Sequence, residues 1–111
     1  MSMAGPQADR TLKKLVSLKR QRAEQVHALA IAELRAEERR LAALEAEMSA
    51  LDPGQGDYAD FVLAMKFGRA AFLKKQADAV REVIGRKKQA LQEAREALKK
   101  AIHSEGQLAS G

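Results

Sequence analysis

The feature that most constrains this chain is its single cluster of helix-breaking residues. Only two prolines occur in 111 residues, Pro6 near the start and Pro53 in the run DPGQGD at 52–57. A proline removes a backbone donor and the neighbouring glycines free the backbone, so this run predicts a turn. We expect a helix over about 9–51, a turn at 52–57 and a helix over about 58–104 that ends before Gly106, with flexible termini.

Composition agrees with long helices and excludes several other architectures. Ala, Glu, Lys, Leu and Arg make up more than half of the chain, which is typical of a coiled coil. Aromatic residues are only 4 %, and there is no cysteine for a disulfide, a thiolate metal ligand or a thiol nucleophile. No apolar run reaches a membrane-spanning length of about 20 residues, and residues 1–10 do not resemble a signal peptide. We therefore expect one all-α domain in the cytoplasm, or peripheral at the inner membrane.

Each predicted helix carries an apolar stripe at steps of three and four residues. The first stripe is Leu12, Leu15, Lys19, Arg22, Val26, Ala30, Leu34, Glu37, Leu41, Leu44, Met48 and Leu51. The second is Val62, Met65, Arg69, Phe72, Gln76, Val80, Val83, Lys87, Leu91, Ala94, Leu98 and Ala101. Both cover 39 residues in 11 steps, which predicts a gentle left-handed supercoil.

The short turn predicts that the two helices are antiparallel neighbours. Folding about the turn places Ala30 opposite Val80 and brings Glu37 near Arg69 as a structural ion pair. The fold class we predict is therefore an all-α, antiparallel two-helix coiled-coil hairpin. Because polar residues interrupt both stripes, we expect marginal stability and a partner that clasps the hairpin.

The sequence gives no indication of an enzyme. The two histidines, His27 and His103, are about 30 Å apart in the predicted hairpin at ~1.5 Å per residue, too far to share a metal. No phosphate-binding loop, zinc-protease, nucleophile-elbow or calcium-loop motif occurs. We expect no catalytic residues, no metal, no cofactor and no small-molecule substrate.

Charge is distributed unevenly along the hairpin. Residues 1–22 and 80–111 hold 13 Lys/Arg against 5 Asp/Glu, whereas residues 23–79 hold 7 against 10. The cations of this basic end that we expect to bind a partner are Lys13, Lys14, Lys19, Arg20, Arg22, Lys87, Lys88, Lys99 and Lys100. They either solubilise the chain or dock on an anionic partner. Nucleic acid is disfavoured, because no aromatic residue lies nearby to stack on bases.

All four aromatic residues follow the predicted turn within 15 positions, from Tyr58 to Phe72. We expect Val62, Met65 and Phe72 to face the other helix. An apolar patch facing away from it is predicted at Leu63, Phe67, Ala70 and Ala71. It indicates a partner-binding face, homodimer packing or wrapping of the Phe67 ring over the hairpin. Gly68, inside this segment, is explained if another backbone approaches closely.

Over about residues 10–104 the chain resembles the FliJ-type stalk proteins of flagellar export and their YscO-type relatives in type III secretion. The similar features are the basic start TLKKL at 11–15, the Ala/Glu/Arg-rich first helix and the Pro/Gly break. An aromatic start to the second helix and the run KKQALQEA at 87–94 complete the pattern.

The resemblance implies a non-enzymatic stalk that inserts the end bearing both termini into a hexameric export ATPase. It also implies that the chain contacts the cytoplasmic domain of the export gate and escorts empty export chaperones. Two alternatives remain open at this point. One is a generic coiled-coil adaptor or homo-oligomer without a secretion role, and the other is a nucleic-acid-binding helical hairpin.

Overall fold

The computed structural model describes residues 6–51 and 59–110, with side chains at 7–51 and 63–110. These residues form two long helices, α1 over Pro6–Ser49 and α2 over Ala59–Ser110. The described residues contain no strand, and the all-α helical hairpin is confirmed. The predicted turn at 52–57 lies outside the described residues.

Helix bounds follow local sequence except at the end of α2. Proline is favoured at the first helical position, so α1 begins at Pro6, with Asp9 in its first turn near the positive end of the helix dipole. The prediction that Gly106 ends the second helix is wrong. The helix continues to Ser110, whose hydroxyl donates to the Gly106 carbonyl oxygen at 2.7 Å. Gly106 is exposed, and its ~1 kcal/mol penalty relative to Ala is too small to stop a helix that long.

The row of α1 residues shielded from solvent has strict heptad spacing. It consists of Val16, Arg20, Ala23, His27, Ala30, Leu34, Glu37, Leu41, Leu44 and Met48, with Leu51 continuing the spacing just beyond the helix. Ser17 and Ile31, which are also half-buried, flank this row. The predicted stripe is correct from Ala30 onward and wrong before it. Leu12, Leu15 and Val26 are 48 %, 58 % and 50 % exposed.

The corresponding row of α2 also alternates steps of three and four. It runs through Leu63, Lys66, Ala70, Leu73, Ala77, Val80, Ile84, Lys87, Leu91, Ala94, Leu98, Ala101, Glu105 and Leu108. The predicted stripe is displaced by one residue before Val80 and again at Val83, since the buried residue there is Ile84. Leu73 is 1 % exposed, whereas Phe72 beside it is 50 % exposed and Met65 is 61 % exposed. We call each of these two rows the seam of its helix.

The described fold divides into two compact units. The terminal unit comprises Met1–Ala32 and Lys88–Gly111, and the central unit comprises Glu33–Lys87. Within the central unit the helices are antiparallel, because Glu47 pairs with Arg69 at 2.9 Å and Glu33 pairs with Lys87 at 3.0 Å.

This pairing corrects the predicted register. The expected Glu37–Arg69 ion pair does not form, since Arg69 binds Glu47 instead. The predicted register also placed Glu33 opposite Ala77, whereas Glu33 pairs with Lys87. That prediction assumed a turn that leaves the helix ends level, while the observed packing follows the seam that buries Leu73 and Val80.

The two units differ in what they bury. The buried residues of the central unit are Leu73, Ala77, Val80 and Ile84. Those of the terminal unit are all alanines, at positions 30, 94 and 101. Alanine buries little area, so apolar packing stabilises the terminal unit less than the central unit. Neither helix, over its described length, has a segment apolar enough to cross a membrane.

Candidate interaction surfaces

Three exposed leucines of the terminal unit lie on α1, on the side facing away from its seam. Leu15, Leu18 and Leu29 are 58 %, 50 % and 59 % exposed. At about 100° per residue, Leu18 points nearly opposite to the seam. With Arg22 and Gln25 between them, these residues form a second row at steps of three and four, which we call the outer stripe.

Sequence reasoning missed the outer stripe because it placed two of its members, Leu15 and Arg22, in the seam and left Leu18 and Leu29 unassigned. In the terminal unit the seam of α1 contains Arg20, Ala23 and His27, which are less apolar than the leucines of the outer stripe. The signal that could have found it is the strict heptad repeat, since steps of 3.5 residues carry the seam from Ala30 back to Val16 and leave the leucines outside. The outer stripe is the apolar surface that the hydrophobic pattern leaves uncovered in this unit.

The nine cations predicted to bind a partner fall into two groups. Lys13, Arg20, Lys87 and Lys99 form ion pairs with Asp9, Glu105, Glu33 and Glu96, respectively. The other five, Lys14, Lys19, Arg22, Lys88 and Lys100, are exposed and make no hydrogen bond or ion pair with any other described residue. Only this second group is fully available to an anionic partner.

Two of these cations line one hollow of the terminal unit, and a third belongs to the central unit. Lys19 and Lys100 line the same open hollow between α1 and α2 in the terminal unit, with Val16, Ala23 and Ala101 between them. Lys87 belongs to the central unit, where its ammonium bonds to Glu33. Its side chain is one-third exposed, so Lys87 contributes to helix pairing there.

Arg20 contributes to the structure of the terminal unit. Its Nε donates to Glu105 on α2 at 2.8 Å, and its Nη1 donates to Glu24 at 3.0 Å. Both hydrogen bonds raise the pKa of Arg20 above its ordinary value, and the bond to Glu105 has the larger effect. The guanidinium therefore stays charged and fixes α1 against α2.

The predicted apolar patch is rearranged. Leu63 and Ala70 are half-buried in the seam of α2, while Ala71 and Phe67 are exposed, Phe67 by 67 %. The expectation that Phe67 is exposed is confirmed. Met65 and Phe72, which we expected in the seam, are exposed instead. Val62 lies outside the residues whose side chains are described.

Two further observations describe the surroundings of this patch. The Arg69 guanidinium lies over the Phe72 ring, 5.4 Å from its centroid, and also bonds to Glu47. A Cβ added at Gly68 would meet nothing within 4 Å. No part of the described chain therefore requires glycine there, and the same holds for Gly85.

The described residues contain no group of three or more His, Asp or Glu side chains that could hold a metal ion. His27 is half-buried in the seam of α1 and His103 is exposed on α2. The fold defines a class, the antiparallel two-helix coiled coil, with exposed apolar and cationic surfaces. No protein-family model, curated protein or solved structure matches this chain.

Proposed function

We propose that this chain is a non-enzymatic coiled-coil interaction protein that binds its main partner through the terminal unit. More specifically, we propose that it is the stalk of a type III protein export apparatus. In this role the basic terminal unit docks into a hexameric export ATPase. The exposed aromatic residues of the central unit contact the cytoplasmic domain of the export gate, and export chaperones are further partners.

The observation that carries the proposal is the coexistence of uncovered leucines and unpaired cations on one helix. Leu15 and Leu18 of the outer stripe are at least half exposed, and Lys14 and Lys19 beside them have no partner among the described residues. Exposed apolar area favours association, and unpaired cations steer it toward an anionic surface. The specific assignment to an export ATPase rests on the sequence resemblance.

The test is stimulation of the export ATPase of the same organism by the purified chain. Lys14→Glu with Lys19→Glu reverses two unpaired cations of the terminal unit. We expect this variant to lose stimulation by about tenfold, with full helicity by circular dichroism, because exposed charges affect association more than folding.

The matched control is Arg39→Glu with Arg40→Glu, which makes the same charge change on the same helix in the central unit, where both residues are exposed. We expect this variant to stimulate normally. Equal loss in both variants would reduce the effect to net charge, and no stimulation by the wild-type chain would reject the ATPase role.

The second candidate function is that of a coiled-coil adaptor or homo-oligomer without a secretion role. Exposure of Met65, Phe67 and Phe72 on α2 favours it, since apolar side chains of this size commonly pack against another copy. Sedimentation equilibrium separates the candidates. A dimer that Phe67→Ser with Phe72→Ser converts to a monomer supports the homo-oligomer.

A further inference from the structure

The outer stripe of α1 has the geometry of a second coiled-coil seam. Leu15, Leu18, Arg22, Gln25 and Leu29 are separated by steps of three, four, three and four residues, and all are exposed. A row with this spacing stays on one side of a supercoiled helix, so another helix could contact all of it at once. A flat or globular surface does not require that regularity.

The middle of the outer stripe is polar. An open hollow on this face is lined by Leu18, Gln21, Arg22, Gln25, Val26 and Leu29. Leu18, Val26 and Leu29 form its apolar lining. Arg22, the middle residue of the stripe, has no hydrogen bond or ion pair with any described residue. A partner that covers the leucines must therefore also satisfy this cation.

The charge around the outer stripe restricts the occupant further. Residues 10–22 contain six Lys or Arg and no Asp or Glu. A second copy that covered this face with its own outer stripe would place Arg22, the middle residue of the stripe, against Arg22 in either orientation, which opposes self-association. A neutral helix would leave the guanidinium desolvated without a partner.

We propose that the outer stripe binds an amphipathic helix of a partner protein that carries a carboxylate opposite Arg22. Its apolar residues, at heptad spacing, pack between Leu15, Leu18 and Leu29. Its Glu or Asp accepts the paired N–H groups of the Arg22 guanidinium, a bidentate geometry that fixes the register. The inference rests on the proposed docking role of the terminal unit and is independent of the export ATPase.

The test uses three synthetic amphipathic helical peptides, each about four heptads long, with leucine in their apolar row. They differ only at one central position, which is Glu, Gln or Lys. Binding to the full chain is measured by fluorescence anisotropy. We expect the Glu peptide to bind roughly tenfold more tightly than the Lys peptide, with the Gln peptide between them.

The charge-reversed variant Arg22→Glu is tested against the same three peptides. It should invert the order, so that the Lys peptide binds more tightly than the Glu peptide, while Arg39→Glu should preserve the original order. A reversal in Arg22→Glu alone shows that the peptide residue interacts with Arg22, because a general effect of net charge would act equally in Arg39→Glu. If the wild-type chain does not stimulate the ATPase but binds the three peptides in the expected order, only the export role is rejected.

Four results would overturn the inference. The first is equal affinity for the three peptides, and the second is an order that Arg22→Glu leaves unchanged. The third is binding of the chain to phosphatidylserine vesicles, lost in Leu15→Ser with Leu29→Ser, in the absence of any peptide binding; that result would assign the face to a membrane. The fourth is a concentration-dependent dimer abolished by the same double variant, which would assign the face to a second copy.

Discussion

Arg20 and Glu105, 85 residues apart in the chain, are joined by a 2.8 Å hydrogen bond from Arg20 Nε to Glu105 Oε1. Both residues are half-buried at seam positions of the terminal unit, whose buried residues are alanines. This ion pair therefore connects α1 and α2 where apolar packing is thin.

Removing one partner of this pair should cost more than removing both. We expect Arg20→Met to lower the melting temperature, because it leaves the half-buried Glu105 carboxylate without its cation. Adding Glu105→Leu should restore or exceed the wild-type value, since apolar residues replace the pair. Thermal circular dichroism measures both. Lys13→Met, which removes an exposed pair of 3.6 Å with Asp9, is the control and should have little effect.

The stabilisation by Arg20 should not change between about pH 6 and 10. Hydrogen bonds to Glu105 and Glu24 raise the pKa of Arg20 in the folded state. Its contribution is therefore fully present below the unfolded-state pKa and is lost only as the pH rises through the folded-state pKa, far above neutrality. We expect a constant difference in melting temperature between wild type and Arg20→Met over this range. A difference in melting temperature that is already smaller at about pH 9 would contradict the role given to the Arg20 guanidinium.

Glu37 should destabilise the seam. Its Oε2 atom is buried and has no hydrogen-bond partner among the residues that the structure describes. Glu37→Leu should raise the free energy of unfolding by about 1–2 kcal/mol, because it removes an unsatisfied polar atom from an apolar row. Urea unfolding measures the change. Glu38→Leu, at the exposed neighbouring position, should change it much less, and equal effects would show that Glu37 is not special.

Leu73 and Phe72 are adjacent in sequence, but truncation of Leu73 should cost much more stability than truncation of Phe72. Leu73 is 1 % exposed, so Leu73→Ala should cost about 3 kcal/mol or more. Phe72 is 50 % exposed, so Phe72→Ala should cost less than about 1 kcal/mol. Urea unfolding of both variants compares them. A larger loss for Phe72→Ala would restore the predicted stripe, in which Phe72 faces the other helix.

Gly68 should be replaceable at no cost to the fold. Because a Cβ there meets nothing within 4 Å, Gly68→Ala should stabilise the chain by about 1 kcal/mol. Gly85→Ala, equally open, should give a similar gain and serves as the reference. If Gly68→Ala also weakens partner binding while Gly85→Ala does not, a partner backbone approaches α2 at Gly68. A loss of stability in Gly68→Ala would contradict the open environment.

The sequence predicted both helices well, because nothing but the run at 52–57 and the termini interrupts them. It predicted the seams correctly only from Ala30 to Leu51 and, apart from Val83 in place of Ile84, from Val80 to Ala101. The error entered where the predicted stripes take successive steps of four, at Arg22–Val26–Ala30 and Phe72–Gln76–Val80. A continuous seam of supercoiled helices averages 3.5 residues per step, and repeated steps of four drift off it.

The exposed surfaces were less predictable for a related physical reason. A helix with two apolar rows does not reveal which row faces its neighbour, and in the first half of α1 the more apolar row faces outward. Hydrophobicity therefore favoured Leu15 and Val26 for the seam, where the fold instead places Ala23 and His27. The exposure of Phe67 was predicted from its angle to Met65, which is itself exposed. The prediction holds because Phe67 follows the seam residue Lys66 by one position, about 100° around the helix.

The strict heptad spacing of the two seams governs how this protein tolerates changes in length. Seven residues inserted into each helix, at matching positions, add about 10 Å and leave every later side chain in its original direction. One inserted residue instead rotates everything beyond it by about 100°, which carries the later seam residues toward solvent. The hairpin can therefore change length and keep its packing only by paired insertions or deletions of seven residues.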